Sequence, residues 1–209
     1  MNKRALDQAK RSVVKVGGGR GFVIEGKWDR RMIVTTAHCL PSFPPCRSFS
    51  CAEERTYQDL LGPLNGPTAV WTECLFVDPI SDLAVLGPPD SQDLSDKYRN
   101  YEALVGSHRT IKIAPAKTEE GAWLLSLANA WGKCTSVQND GPLWLSDAVD
   151  GIHAGMSGSP VVRGDGRAIG VVCASGGGEG TMHTQGGPNP RLEFDLPGWL
   201  LRQIELGDG

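Results

Sequence analysis

Ser157 lies within the glycine-rich stretch GIHAGMSGSPVV (Gly151–Val162), His38 sits near the end of IVTTAHCL, and Asp82 opens DLAVLG. These are the residue types that nucleophilic acyl chemistry needs. A serine hydroxyl is a poor nucleophile until a neighbouring base takes its proton, and the base needs a carboxylate to hold its tautomer and stabilise the imidazolium that forms. The glycines fit the same chemistry, because backbone N–H groups must converge on the oxygen of a tetrahedral intermediate and side chains would obstruct them. Taken singly, each segment has a plainer reading: a bland turn at Ser157, a structural histidine at a strand edge, a cap or turn residue at Asp82. Taken together they specify a serine acting with a histidine base, and Asp78, four residues before Asp82, is the rival acid.

Such residues have to be carried by something rigid. The apolar residues fall in short runs, GFVIEG, MIVTTA, LAVLG and AIGVV, each bounded by turn residues, and the 209-residue chain holds 27 glycines and 14 prolines. That is the pattern of an all-β protein with many short strands, and the length suffices for a core without metal or disulfide. Strands are expected at SVVKVG, GFVIEG, RMIVTTA, AVWTECLFVD and DLAVLG, and again through Trp123, Trp131 and Trp144 to the RGDGR turn. A short helix is expected over Asn2–Arg11, a second over SQDLSDKYRNYEALVG and a third in LPGWLLRQIEL. The Pro-rich passage Pro41–Thr68 reads as a long loop with one helical turn near Tyr57–Leu61.

Composition narrows the partners. A net charge of −3 with mixed signs provides no basic field for nucleic acid, and no run is long enough to span a membrane. The charged N-terminal stretch lacks the apolar core of a secretory signal, so the expected compartment is the cytosol. There the six cysteines are expected as thiols, with Cys46–Cys51 and Cys39–Cys74 as the pairings that would contradict it. No C-x-x-C pair or paired histidines suggest a metal, and no cofactor is expected. GGGRG lacks the Gly-Lys-Ser/Thr of a phosphate loop and reads as a hairpin turn, as does RGDGR.

TTAHC, DLAVL and GMSGSP, in that order, resemble the histidine, aspartate and nucleophile motifs of the chymotrypsin-like (trypsin-like) serine peptidases, specifically the compact bacterial members. The resemblance runs from about Val13 to Ser175, with GGGRGFVI similar to the hairpin before the histidine strand and AIGVVCAS to the strand lining the substrate pocket. It implies two perpendicular six-stranded β-barrels with the site between them, here halves of about 12–105 and 106–195, and a C-terminal helix at about 196–206. It also implies His38 as general base and then acid, Asp82 as its orienting partner, Ser157 as nucleophile and the N–H groups of Gly155 and Ser157 as the oxyanion hole. The substrate pocket would be lined by Gly151, His153, Cys173, Ala174 and Ser175.

Two departures matter. Digestive members have an aspartate before the nucleophile to pair with a freed N-terminus, and this chain has Met156; trypsin has an aspartate six positions before the serine, and this chain has Gly151. Activation through a new N-terminus is therefore not expected, and small or apolar P1 residues are, with acidic P1 residues if His153 or His183 faces the pocket. Protein or peptide is the expected substrate, and an activating protein partner stays open. So do two other readings of the whole: a catalytically silent binding module, and an esterase or acyl transferase with the same machinery.

Overall fold

The computed structural model describes residues 2–45, 52–89, 95–138, 140–173 and 186–204. The first six strands are β1 (Val13–Val16), β2 (Gly19–Glu25), β3 (Arg31–Thr35), β4 (Thr56–Pro63), β5 (Val70–Asp78) and β6 (Leu83–Gly87). They close into an antiparallel barrel in the order β1-β2-β3-β6-β5-β4. β2, β3 and β6 are buried on both faces, which is why they read as unbroken apolar runs. Phe22, Ile24, Met32, Val34, Leu83 and Val85 join a cluster that reaches Leu125, Val162 and Ala168 of the second half. The alternate residues Val23, Ile33, Ala84 and Leu86 pack instead with Tyr101, Leu104 and Val105 of helix α2 (Ser95–Gly106).

The expected helical turn at Tyr57–Leu61 is absent: these residues lie in β4, which pairs with both β1 and β5 and so completes the barrel. The pairing register shifts between Tyr57 and Leu61, and Asp59 adopts φ +51°. This bulge places two exposed residues, Gln58 and Asp59, side by side, and erases the period of two by which a strand is recognised.

The second sheet contains β7 (Glu119–Leu125), β8 (Trp131–Gln138), β9 (Leu143–Ser146), β10 (Pro160–Arg163), β11 (Ala168–Val171) and β12 (Gly186–Asn189), ordered β11-β10-β7-β8-β9-β12. Unlike the first it is not closed by a strand pair among the described residues. Its edges meet through one bridge, Gly170 to Arg191, and the Val171 N–H donating to Pro190 O at 3.2 Å. RGDGR is the β10–β11 hairpin turn, with Gly166 N–H donating to Arg163 O at 2.9 Å.

Helix α1 (Lys3–Lys10) buries Leu6 and Ala9 in the shared cluster, and Trp131 Nε1 donates to Leu6 O at 3.0 Å. The chain returns to the first barrel through the single turns α3 (Leu192–Asp195) and α4 (Gly198–Leu201), where Lys27 N–H donates to Gln203 O at 2.6 Å. No helix among the described residues is long and apolar enough to cross a membrane.

Candidate active site

β3 is driven into the core by Met32, Ile33 and Val34 and ends at Thr35; the chain then makes a single 3-10 turn over Ala37–Cys39 that leaves His38 half-exposed. The turn between β5 and β6 brings Asp82 to the same place. Ala37 N–H donates to Asp82 O at 3.2 Å, His38 N–H to Asp82 Oδ1 at 2.9 Å, and His38 Nδ1 lies 2.7 Å from Asp82 Oδ2. The carboxylate thus grips both the backbone and the ring of His38. An ionised carboxylate only accepts, so Nδ1 carries the ring proton and Nε2 of the neutral imidazole is left with a free lone pair. Asp82 reaches this pose with φ +57°, a left-handed conformation that aspartate tolerates better than most residues.

Asp78 does something else. Its carboxylate accepts from Ile80 N–H at 2.9 Å and Ser81 Oγ at 2.7 Å, and so shapes the turn that presents Asp82. Burial works to raise its pKa, but these hydrogen bonds outweigh it and hold the carboxyl below the ordinary carboxylate range.

Ser157 sits in the turn before β10, between two glycines with positive φ, Gly155 at +89° and Gly158 at +83°. The first closes a type II turn, with Met156 N–H donating to His153 O at 3.1 Å. A type I turn would reverse the Ala154–Gly155 peptide plane, and with it the Gly155 N–H. The amides of Met156 and Gly158 are spent within the fold, the latter on Val172 O at 2.7 Å, whereas those of Gly155 and Ser157 have no backbone acceptor among the described residues. The Ser157 turn is docked on the first barrel by the Arg20 N–H, which donates to Ser157 O at 2.7 Å, and by Cys39 Sγ, 4.0 Å from the same oxygen. His38 and Asp82 are therefore in direct contact, and Ser157 is seated against the residue that follows His38. Among the described residues no hydrogen bond joins Ser157 Oγ to His38; such bonds are often long in unliganded sites.

Arg20 carries no role in the sequence pattern, where GGGRG reads only as a hairpin turn. Arg20 as a whole is 5 % exposed, and its guanidinium crosses to the second sheet, donating to Leu125 O at 2.8 Å, Ser126 O at 3.1 Å and Asn129 Oδ1 at 3.3 Å. Its backbone holds Ser157 on one side, and its carbonyl accepts from Thr35 Oγ1 at 2.6 Å on the other. The available signal is a lone cation between two glycines, directly before the apolar run Phe22–Ile24.

Gly158 fits only because it has no side chain. A Cβ there would lie 1.7 Å from Arg20 O and 2.7 Å from Thr35 Oγ1. Gly158→Ala is expected to lower stability by about 3 kcal/mol or more, read by chemical denaturation. Gly164→Ala, whose Cβ would meet nothing nearer than Trp123 Nε1 at 3.9 Å, should stay within about 0.5 kcal/mol.

The pocket residues are dispersed. Gly151 (φ +70°) lies beneath the His153 ring, whose Nε2 is 2.8 Å from Asp150 O. A carbonyl only accepts, so Nε2 carries a proton and a neutral His153 has no N–H left for an acidic P1 group. Cys173 is elsewhere, with its Sγ donating to Pro188 O at 2.7 Å, on a cavity of about 550 Å3 that it shares with Asp82 and Ile80. Ala174, Ser175 and His183 lie outside the described residues, as do Cys46 and Cys51. Met156 is 1 % exposed within an apolar cluster, so its position offers no acidic partner for an ammonium group.

Cys39, Cys74, Cys134 and Cys173 are free, which excludes the Cys39–Cys74 bridge. Burial, with Asp82 adding to it, pushes the Cys173 thiol up to about 12, and burial also raises that of Cys39. Both are protonated at neutral pH, the form in which a thiol is a poor nucleophile. Among the described residues no group of His, Cys, Asp and Glu could hold a metal ion.

The sequence model of the trypsin-like peptidase domain matches residues 19–171. No curated protein matches the chain in sequence. Among solved structures, the crystal structure of the Rv3671c protease in its inactive form is similar, at 18 % identity and a TM-score of 0.51, over 89 % of this chain and 88 % of that one. At that identity the likeness speaks for the fold.

Proposed function

The chain belongs to the trypsin-like peptidase domain family, and from that membership we propose that it is a serine endopeptidase working through an acyl-enzyme. Its halves, about 12–105 and 106–195, each contribute to the site. The observation that carries the reading is the double hold of Asp82 on His38, at 2.9 Å through the backbone N–H and 2.7 Å through Nδ1. It leaves Nε2 as the base, and nothing in a purely structural ion pair requires both contacts.

In this mechanism Ser157 Oγ attacks the substrate carbonyl as its proton passes to His38 Nε2. The imidazolium is stabilised by Asp82, and the tetrahedral oxyanion is received by the Gly155 and Ser157 N–H groups. His38 then returns the proton to the leaving amine, and water repeats the sequence on the acyl-serine. Small or apolar P1 residues are the preferred class, since Gly151 supplies no charge to offset the desolvation of a buried Arg or Lys. The proposed compartment is the cytosol, where thiols such as those of Cys39, Cys74, Cys134 and Cys173 stay reduced.

Incubation with a fluorophosphonate probe followed by peptide mapping tests this directly. One equivalent of label on Ser157, together with turnover of peptides from a mixed library, is the expected result. A folded protein that takes no label is a silent binding module, and one that labels but cleaves only simple esters is an esterase.

A further inference from the structure

The largest cavity among those described, about 1100 Å3, lies far from the triad. Arg31, which begins β3, lines it, whereas Thr35 ends β3 beside the His38 turn, so the strand's own length, about 13 Å, separates the two. Four fixed cations face this cavity, Lys10, Arg11, Arg31 and Arg109, against two carboxylates, Asp7 and Glu25. The chain as a whole is net negative at −3, so this is a local reversal of sign.

The cations are also unpaired. Among the described residues no carboxylate lies within 4.0 Å of any of the four. The fold itself forces two of them together, because Arg109 N–H donates to Arg11 O at 3.0 Å and so places two guanidinium-bearing residues side by side. Like charges placed so without a counterion oppose folding. Glu25 is turned to Thr110, whose Oγ1 donates to Glu25 Oε2 at 3.2 Å. Arg31 spends one nitrogen on the end of α2, donating to Val105 O at 2.7 Å and His108 O at 3.2 Å, and this fixes the cavity wall.

The geometry points to a binding site for an oligophosphate. Planar guanidinium forks match phosphate oxygens bidentately, and concave walls of one sign concentrate counterions. The volume greatly exceeds a single phosphate, and four cations call for a ligand bearing several charges. Of the lining side chains only Val13 and Leu64 are apolar, which leaves little for the side chains of an acidic peptide to bury against. A free oligophosphate and a nucleoside triphosphate share this chemistry.

Isothermal titration of the full chain with tripolyphosphate at about 0.15 M salt tests the site without any peptidase readout. Saturable one-to-one binding is expected, at least tenfold weaker in Lys10→Gln/Arg11→Gln/Arg109→Gln and unchanged in the exposed control Lys117→Gln/Lys133→Gln. Among the described residues no side-chain hydrogen bond or ion pair of the three cations supports the fold, so the melting temperature without ligand should hold or rise as their repulsion is relieved. ATP binding like tripolyphosphate marks the phosphates alone as the ligand, and tighter ATP binding marks a nucleotide; either supports the site. Absence of saturable binding, binding that survives the triple substitution, or tighter binding of hexaglutamate than of tripolyphosphate overturns it.

Discussion

Ser157→Ala is expected to remove peptide turnover to the extent of about a million-fold, together with all fluorophosphonate labelling, while the melting temperature stays within a degree or two of the parent. The fold has little to lose, because the ties of this turn are made by backbone: Arg20 N–H to Ser157 O at 2.7 Å and Gly158 N–H to Val172 O at 2.7 Å. Oγ contributes no hydrogen bond to either half among the described residues, so its removal takes away a reacting atom and nothing structural. The loss is large because nucleophile, base and orienting acid act as a unit. Single-turnover kinetics on a cleaved library peptide is the measurement, and turnover persisting at the parental rate in folded Ser157→Ala would sink the serine mechanism.

Asp82→Asn is the second large effect, with kcat expected to fall about 10,000-fold and KM to change little, as in the template triad. Asparagine has nearly the same shape and accepts the left-handed φ of +57° that the position demands, so the turn should survive. Its amide cannot do what the carboxylate does. If Oδ1 continues to accept from His38 N–H, the Nδ2 amide faces Nδ1 as a donor, and the ring proton moves to Nε2. The base is then blocked by its own proton. Asp78→Asn provides the contrast, since that carboxylate serves the Ile80 and Ser81 donors and touches neither ring nitrogen. It is expected to cost less than tenfold in kcat, and its effect should appear in stability. The Asp78 pKa is lowered by folding, so its contribution is present at neutral pH and lost as pH falls through its folded value. The comparison of the two melting temperatures from neutral to acid pH measures that. An inverted pair of kinetic results would make Asp78 the acid.

Much of this was legible in the residues because it is local. Short apolar segments bounded by turn residues marked β1, β2, β3, β5 and β6, most plainly β2, β3 and β6, which are buried on both faces and so read as apolar without reference to a partner. RGDGR could be read as a hairpin because its turn chemistry lies within five residues. His38, Asp82 and Ser157 stood out by their types and by the glycines around the serine, and DLAVL favoured Asp82 over Asp78 through motif position alone.

Other features depended on tertiary structure. β4 hid because its bulge at Asp59 breaks the alternation, and only its pairing with β1 and β5 defines it as a strand. That the edges of the second sheet meet through a single bridge rather than a strand pair is set by residues 21 positions apart, Gly170 and Arg191, which no local pattern encodes. The role of Arg20 emerges only when its carbonyl acceptors arrive from a hairpin more than a hundred residues away. The cationic cavity likewise draws Arg11, Arg31 and Arg109 from three separate segments, each an ordinary surface charge in sequence. Composition and short-range pattern specify which residues are apolar, which turn and which could react; which charges come to face one cavity is decided by long-range packing, and so the sequence singled out the candidate residues of the site while the fold decided their support and their neighbours.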